Sequence, residues 1–290
     1  MRVFITGASG FIGRHALPLL SQHDVLCLTR NPGRLPALPF ARTLRGDLRC
    51  PEEWRSQLED FKPQWCLHLA WEGLPDYSPA ATRTNVDAGL RLFETLQRAR
   101  IRRVVVAGSC WEYGAAAGMV SETRAPADCG VFAAAKNTLR SALESAARAG
   151  GLEHRWTRIF FVYGPGQRSD SLIPSCRTAF AAGRAPDIRQ PRVAQDFIHV
   201  DDVAEGLVAL LERDIACGVY NLGTGRPTSV GEVANAVARH FGAALPYPDS
   251  SYDLGFWADS AKTAEATGWR ARTSLEHGVA RTLRAFEEAA

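Results

Sequence analysis

The stretch VFITGASGFIG at residues 3–13 limits the possible folds of this chain more than any other. VFIT reads as a short buried strand, and the chain then turns through Gly7, Gly10 and Gly13 into a helical pattern predicted over 11–22. Glycines at this G-x-x-G-x-x-G spacing permit a tight turn, a close backbone approach to a pyrophosphate, and close packing of helix on strand. The helix N-terminus adds free N–H groups and the positive end of a dipole. A strand, a glycine loop and a helix in that order predict a dinucleotide-binding α/β fold; plain turn glycines are the blander alternative.

The rest of the chain keeps that rhythm. Apolar runs at 24–28 (DVLCL), 65–70 (WCLHLA), 102–108 (RRVVVAG) and 155–164 (RWTRIFFVYG) alternate with helical patterns at 80–99 and 131–149. Near-continuous apolar strands separated by helices imply a parallel sheet covered on both faces, so the expected class is a doubly wound α/β (Rossmann) sheet. Beyond about residue 160 the pattern loosens into Pro- and Gly-containing stretches, with helices expected at 171–182, 201–213, 229–241 and 274–288. The expected division is a dinucleotide-binding domain at 1–160, to which the chain returns around 193–216, and a smaller mixed α/β substrate-binding lobe made mainly of 161–290.

Composition removes several functions. The 34 basic and 31 acidic residues leave a formal charge of +3 with no long run of one sign, so nucleic acid is not an expected partner. Seven scattered cysteines, with no C-x-x-C pair, argue against a disulfide frame or a zinc cluster and fit a reducing cytoplasm. No apolar stretch approaches membrane-spanning length, and Gly7 arrives too early for a signal-peptide core. Without G-x-S-x-G, Ser109 has no hydrolase frame. His199, Asp201 and Asp202 resemble a metal cluster, but aspartates at a helix start are ordinary caps, and no metal is expected.

Cofactor choice is read from the end of the second strand, LTRNPGR. An NAD-selective site places Asp or Glu there to accept from the ribose 2′-hydroxyl; this chain has Thr29, followed by Arg30 and Arg34, which can pair with a 2′-phosphate. NADP(H) is therefore expected, against a reading of two solvated loop arginines. Asp47, in RGDL after the third strand, either accepts from the adenine amino group or is a turn residue.

Together, TGASGFIG, HLAW (68–71), Asn85, AGSCWEYG (107–114), F-x-x-x-K (132–136), YGPGQ (163–167), DFIHVDDVA (196–204) and YNLGTG (220–225) resemble the extended short-chain dehydrogenase/reductase family, especially its nucleotide-sugar epimerases and 4-ketoreductases. The resemblance spans nearly the whole chain. It implies cofactor contacts from Gly7, Ser9, Gly10, Phe11, Ile12, Gly13, Arg30, Arg34, Asp47, Leu48, Leu69, Ala70, Trp71, Asn85, Lys136 and Phe160. It also implies that Ser109 polarises the substrate oxygen, and that Lys136, one of three lysines, holds the nicotinamide ribose and lowers the pKa of a Tyr one helical turn earlier.

That Tyr is Phe132 here. The ring is kept and the hydroxyl is lost, so the chain is a Tyr-to-Phe variant, an enzyme with another proton donor, or a non-catalytic binder. An ordinary core-facing Phe is the fourth reading. Family dehydratases carry Asp-Glu after the Thr, where this chain has Cys110 and Trp111, which disfavours dehydration. On the substrate side the resemblance implies pocket roles for Trp71, Glu72, Tyr77, Ser109, Cys110 and Trp111. The family's R-x-x-N appears as Arg158 with Phe161, and its Arg-Asp pair as Gln195-Asp196, leaving Arg168 or Arg192 to supply the missing charge. The expected protein is a cytoplasmic, homodimeric reductase that uses NADPH on a keto group of a nucleotide-linked, 6-deoxy-4-keto-type sugar. The alternatives are an epimerase with tightly held NAD and a silent NADP-sensing protein.

Overall fold

A computed structural model describes residues 1–125, 129–247 and 251–288. In chain order the elements are β1 (Arg2–Thr6), α1 (Gly13–Leu19), β2 (Asp24–Thr29), β3 (Ala41–Arg45), α2 (Arg55–Phe61), β4 (Trp65–His68), α3 (Pro79–Arg98), β5 (Arg103–Ala107), β6 (Gly118–Val120), α4 (Val131–Gly150) and β7 (Glu153–Ile159). They continue with β8 (Phe161–Tyr163), α5 (Leu172–Ala181), β9 (Val193–Gln195), β10 (Phe197–His199), α6 (Val200–Glu212), β11 (Gly218–Leu222), β12 (Thr228–Ser229), α7 (Val230–His240), β13 (Leu254–Ala258), α8 (Ala261–Thr267) and α9 (Leu275–Glu288).

The chain forms two compact units, one of residues 1–115, 125–158 and 204–220, the other of 116–124, 159–203 and 221–290. Residues 204–220 fall in the first unit and residues 116–124 in the second.

The first unit is built on a seven-stranded sheet of order β11-β7-β5-β4-β1-β2-β3. The pairs from β3 through β7 are parallel, as the unbroken apolar runs require. After β1 the chain builds outward through β2 and β3, then crosses back to place β4 on the other side of β1. The crevice beyond the carboxyl ends of β1 and β4 is therefore the topological switch point, where doubly wound sheets bind ligands. Helices α3 and α4 bury Leu92, Phe93, Leu96, Leu139 and Leu143 with Val104, Val106 and Trp156 of the sheet, and Phe4 stacks on Trp54 at 5.7 Å. Ser78 caps α3 by accepting from Ala81 N at 3.3 Å, and Pro79 follows where a helix has no N–H to lose.

Helix α1 is shorter than the 11–22 pattern because Gly10–Ile12 are spent on the turn, and Pro18 falls in the last turn, where the helix stops. The single run expected at 155–164 is two strands. Phe160 N–H donates to Leu222 O and Phe161 N–H to Asp196 O, both at 3.0 Å, so the ladder changes partner at that point.

The second unit holds a four-stranded sheet, β12-β9-β13-β6, and the pair β10-β8. Its core joins Tyr163, Ile173, Cys176, Val233, Val237, Val279 and Leu283. Asp196 is wholly buried and accepts from Thr224 N (2.7 Å), Thr224 Oγ1 (2.6 Å), Gly225 N (2.9 Å) and Ala258 N (3.1 Å). Burial nonetheless pushes its carboxyl up from the usual range.

Candidate active site

The glycine loop is built by close contacts. Gly7 has φ +76°, and a Cβ there would lie 2.6 Å from Ala70 N, while one on Gly13 would lie 2.1 Å from Gly7 O. Only glycine allows the loop to press against the end of β4 and the helix to press against the loop. Beside it opens a cleft of about 320 Å³ lined by Gly7, Ser9, Gly10, Arg30, Arg34, Asp47, Leu48, Leu69, Ala70, Trp71, Asn85 and Lys136. Twelve of the sixteen expected cofactor residues thus meet in one place. Of the others, Phe11 packs edge-on against His15, Ile12 caps α1, and Gly13 makes the contact just described. Phe160 lies in the second unit against Phe256.

Missed by sequence reasoning, Arg49, His68 and Thr84 also line the cleft. Arg49 grips Asp47 through Nη2 (2.6 Å) and Nε (3.0 Å) and holds that carboxyl below the usual range. The spacing R-G-D-L-R carried that signal, since Asp and Arg two residues apart on one turn can pair. His68 stands 2.7 Å from Thr6 Oγ1, and burial pushes its ring down to about 3, so it is neutral near pH 7. Arg30 pairs with Glu72, which lines the same cleft.

An aromatic cluster surrounds residue 132. The Phe132 ring has its centroid 5.1 Å from Trp71, 5.3 Å from Tyr77 and 5.8 Å from Trp111, mostly edge to face. Half-buried Phe132 is therefore not an ordinary core residue. Lys136 donates from Nζ to Ala107 O at 2.7 Å, and its ammonium lies 4.0 Å from the Trp71 ring centroid and 5.8 Å from that of Phe132. Burial pushes the Lys136 ammonium down to about 8, against the opposing field of Glu112.

Ser109 is fixed by a capping box. Its Oγ accepts from Trp111 N at 3.2 Å and its own N–H donates to Glu112 Oε1 at 2.8 Å. Glu112 is wholly buried and also accepts from Trp156 Nε1 (2.9 Å) and Arg158 Nε (3.1 Å). Arg158 stacks on Tyr113 at 4.2 Å, which makes it part of the fold behind Ser109 and not a free contact for substrate. The S-x-x-E spacing at 109–112 was the legible signal for Glu112. Cys110 is buried, whereas Trp111 and Tyr77 are exposed.

The remaining expected substrate residues lie in the second unit. Arg168 pairs with Asp170 at 3.1 Å, Arg192 with Asp253 at 2.5 Å, Gln195 ends β9, and Phe161 packs on Phe197. Asp202 accepts from Arg272 N and Thr273 N, so it serves backbone caps; among the described residues there is no cluster of three metal-ligating side chains and no helix long and apolar enough to cross a membrane.

This strand order and switch-point cleft define a doubly wound α/β frame with a ligand cleft beyond the carboxyl ends of its strands. Residues 3–223 match the NAD dependent epimerase/dehydratase family, and the chain belongs to it. The UDP-glucose 4-epimerase of Neisseria meningitidis serogroup B is 27% identical, with 94% of each chain covered. The dTDP-glucose 4,6-dehydratase of Streptomyces griseus is 27% identical over 97% of this chain and 92% of its own. The structure of MoeE5 in complex with UDP-glucuronic acid and NAD aligns with a TM-score of 0.84 at 30% identity, covering all of both chains.

Proposed function

We propose that this chain is an NADP(H)-dependent reductase of a keto group on a nucleotide-linked sugar, with 6-deoxy-4-keto sugars the expected class. The observation that carries it is the ribose end of the cleft, where Thr29 stands in place of a carboxylate and Arg30, Arg34 and Arg49 form the border. The bound dinucleotide would supply a hydride to the carbonyl carbon. In this reading Ser109 holds the carbonyl oxygen and Lys136 holds the ribose. The proton comes from water or from Tyr77, whose ring packs on Phe132.

A phenyl ring at 132 neither donates nor accepts the proton, so in either direction of hydride transfer another group must exchange it. Substrate contacts from Trp71, Tyr77, Cys110, Trp111, Phe161, Arg168, Arg192 and Gln195 rest on family resemblance, as do the Phe160 cofactor contact, the homodimer and the cytoplasmic setting. The second reading is an epimerase holding NAD through both half-reactions, favoured by the 4-epimerase relative.

Titration of NADPH and NADH against tryptophan fluorescence tests the assignment. NADPH is expected to bind at least about tenfold tighter, the scale of one charged hydrogen bond. Equal or tighter NADH binding overturns NADP(H), and NAD that stays bound through purification favours the epimerase.

A further inference from the structure

The proposed reaction leaves one charged group of the cleft without a role. Glu72 follows β4, and its carboxylate accepts from Arg30 Nη1. Its backbone is held from α3: Glu72 N–H donates to Asn85 Oδ1 at 2.7 Å, and Asn85 Nδ2 donates to Glu72 O at 3.0 Å and Ala81 O at 2.8 Å. The loop is thereby pinned with its carboxylate aimed at the arginine. Asp47 holds Arg49 in the same manner. Of the three arginines on the ribose border, only Arg34 has no ion pair among the described residues.

We propose that Glu72 is a specificity-determining residue for the cofactor, competing with a 2′-phosphate for Arg30. The inference rests on the NADP(H) reading. Glu72 holds Arg30 through one N–H, on Nη1, and a guanidinium engages carboxylate and phosphate with the same donors, so a phosphate that takes the fork on that side displaces Glu72. The released carboxylate then stays on the rim of the same cleft as a like charge. A 2′-hydroxyl is uncharged and meets neither penalty. Glu72 therefore narrows the preference for NADPH over NADH that Arg30 and Arg34 create. The side chains are 55% and 44% exposed, so solvent screens the pair and the effect is modest.

The test is a double-mutant cycle read by cofactor binding alone, with NADPH and NADH titrated into the unsubstituted protein, Glu72→Gln, Arg30→Gln and the double variant. Gln keeps the backbone bonds to Asn85. Glu72→Gln is expected to tighten NADPH about three- to tenfold and to leave NADH unchanged or weaker. In the Arg30→Gln background the same change is expected to tighten NADPH by less, because the contested partner is gone and only the like-charge repulsion is relieved. If Arg30→Gln weakens NADPH while Glu72→Gln leaves the NADPH/NADH ratio unchanged, the role of Glu72 is overturned and the NADP(H) reading stands. If Arg30→Gln leaves NADPH affinity unchanged, the reading itself falls, and the proposal with it.

Discussion

Phe132→Tyr is expected to raise turnover of a nucleotide-linked keto sugar by about 10²–10⁴, the usual contribution of a positioned acid or base. The variant adds one oxygen to a ring already placed among Trp71, Tyr77 and Trp111, within reach of the field of Lys136. Cofactor affinity should change little, because the added group acts on a proton in the transition state. Lys136→Met combined with Phe132→Tyr should then weaken cofactor binding and raise the apparent pKa of the pH–rate profile. The sign follows from charge: the ammonium favours the phenolate, and removing it makes the phenol harder to ionise. Turnover of the Phe132 form at an ordinary rate, about 1–10³ s⁻¹, identifies another donor, with Tyr77→Phe the variant that locates it. Background activity in both the Phe and Tyr forms contradicts the assignment of residue 132 as the acid/base position.

The largest expected effect on stability is at Glu112. Glu112→Ala leaves the Arg158 guanidinium, itself 2% exposed, without its carboxylate, and it removes the acceptor for Ser109 N–H and Trp156 Nε1. Breaking one side of a buried pair costs about 3–5 kcal/mol. Urea unfolding should show a lower midpoint at an unchanged slope. Glu112→Leu combined with Arg158→Met should recover much of the loss, since the penalty comes from the stranded charge more than from the missing attraction. A Glu112→Ala protein within about 1 kcal/mol of the parent would show that the pair is solvated or replaceable, contrary to its burial.

The parallel sheet was legible because its strands are buried on both faces, so DVLCL and RRVVVAG announce themselves without context. The cleft was legible for a related reason: Gly7, Arg30, Asp47 and Ala70 all sit just past strand ends, where residue type follows from local geometry. What escaped was non-local. Nothing in the sequence around Glu112 says that Arg158, 46 residues later, will be buried beside it. Nor does HLAWEGL say that Glu72 will reach across to Arg30, a pairing created by β4 lying on the far side of β1 from β2. The short strands β6, β9 and β13 pair only with one another and with β12, so none carries an alternating pattern long enough to stand out. Residues 126–128, part of the approach to Phe132, lie outside the described structure.

Net hydride transfer from NADPH to sugar is what separates a reductase from an epimerase. The protein, as the Phe132 form and as Phe132→Tyr, would be incubated with NADPH deuterated at nicotinamide C4 and a panel of nucleotide-linked keto sugars, and the sugar product weighed by mass spectrometry. A reductase is expected to consume one NADPH per sugar reduced, with one deuterium on the new carbinol carbon and faster transfer in the Tyr form. Interconversion of sugar epimers with no NADPH consumed and no label gained would contradict it, and would assign the chain to the epimerases.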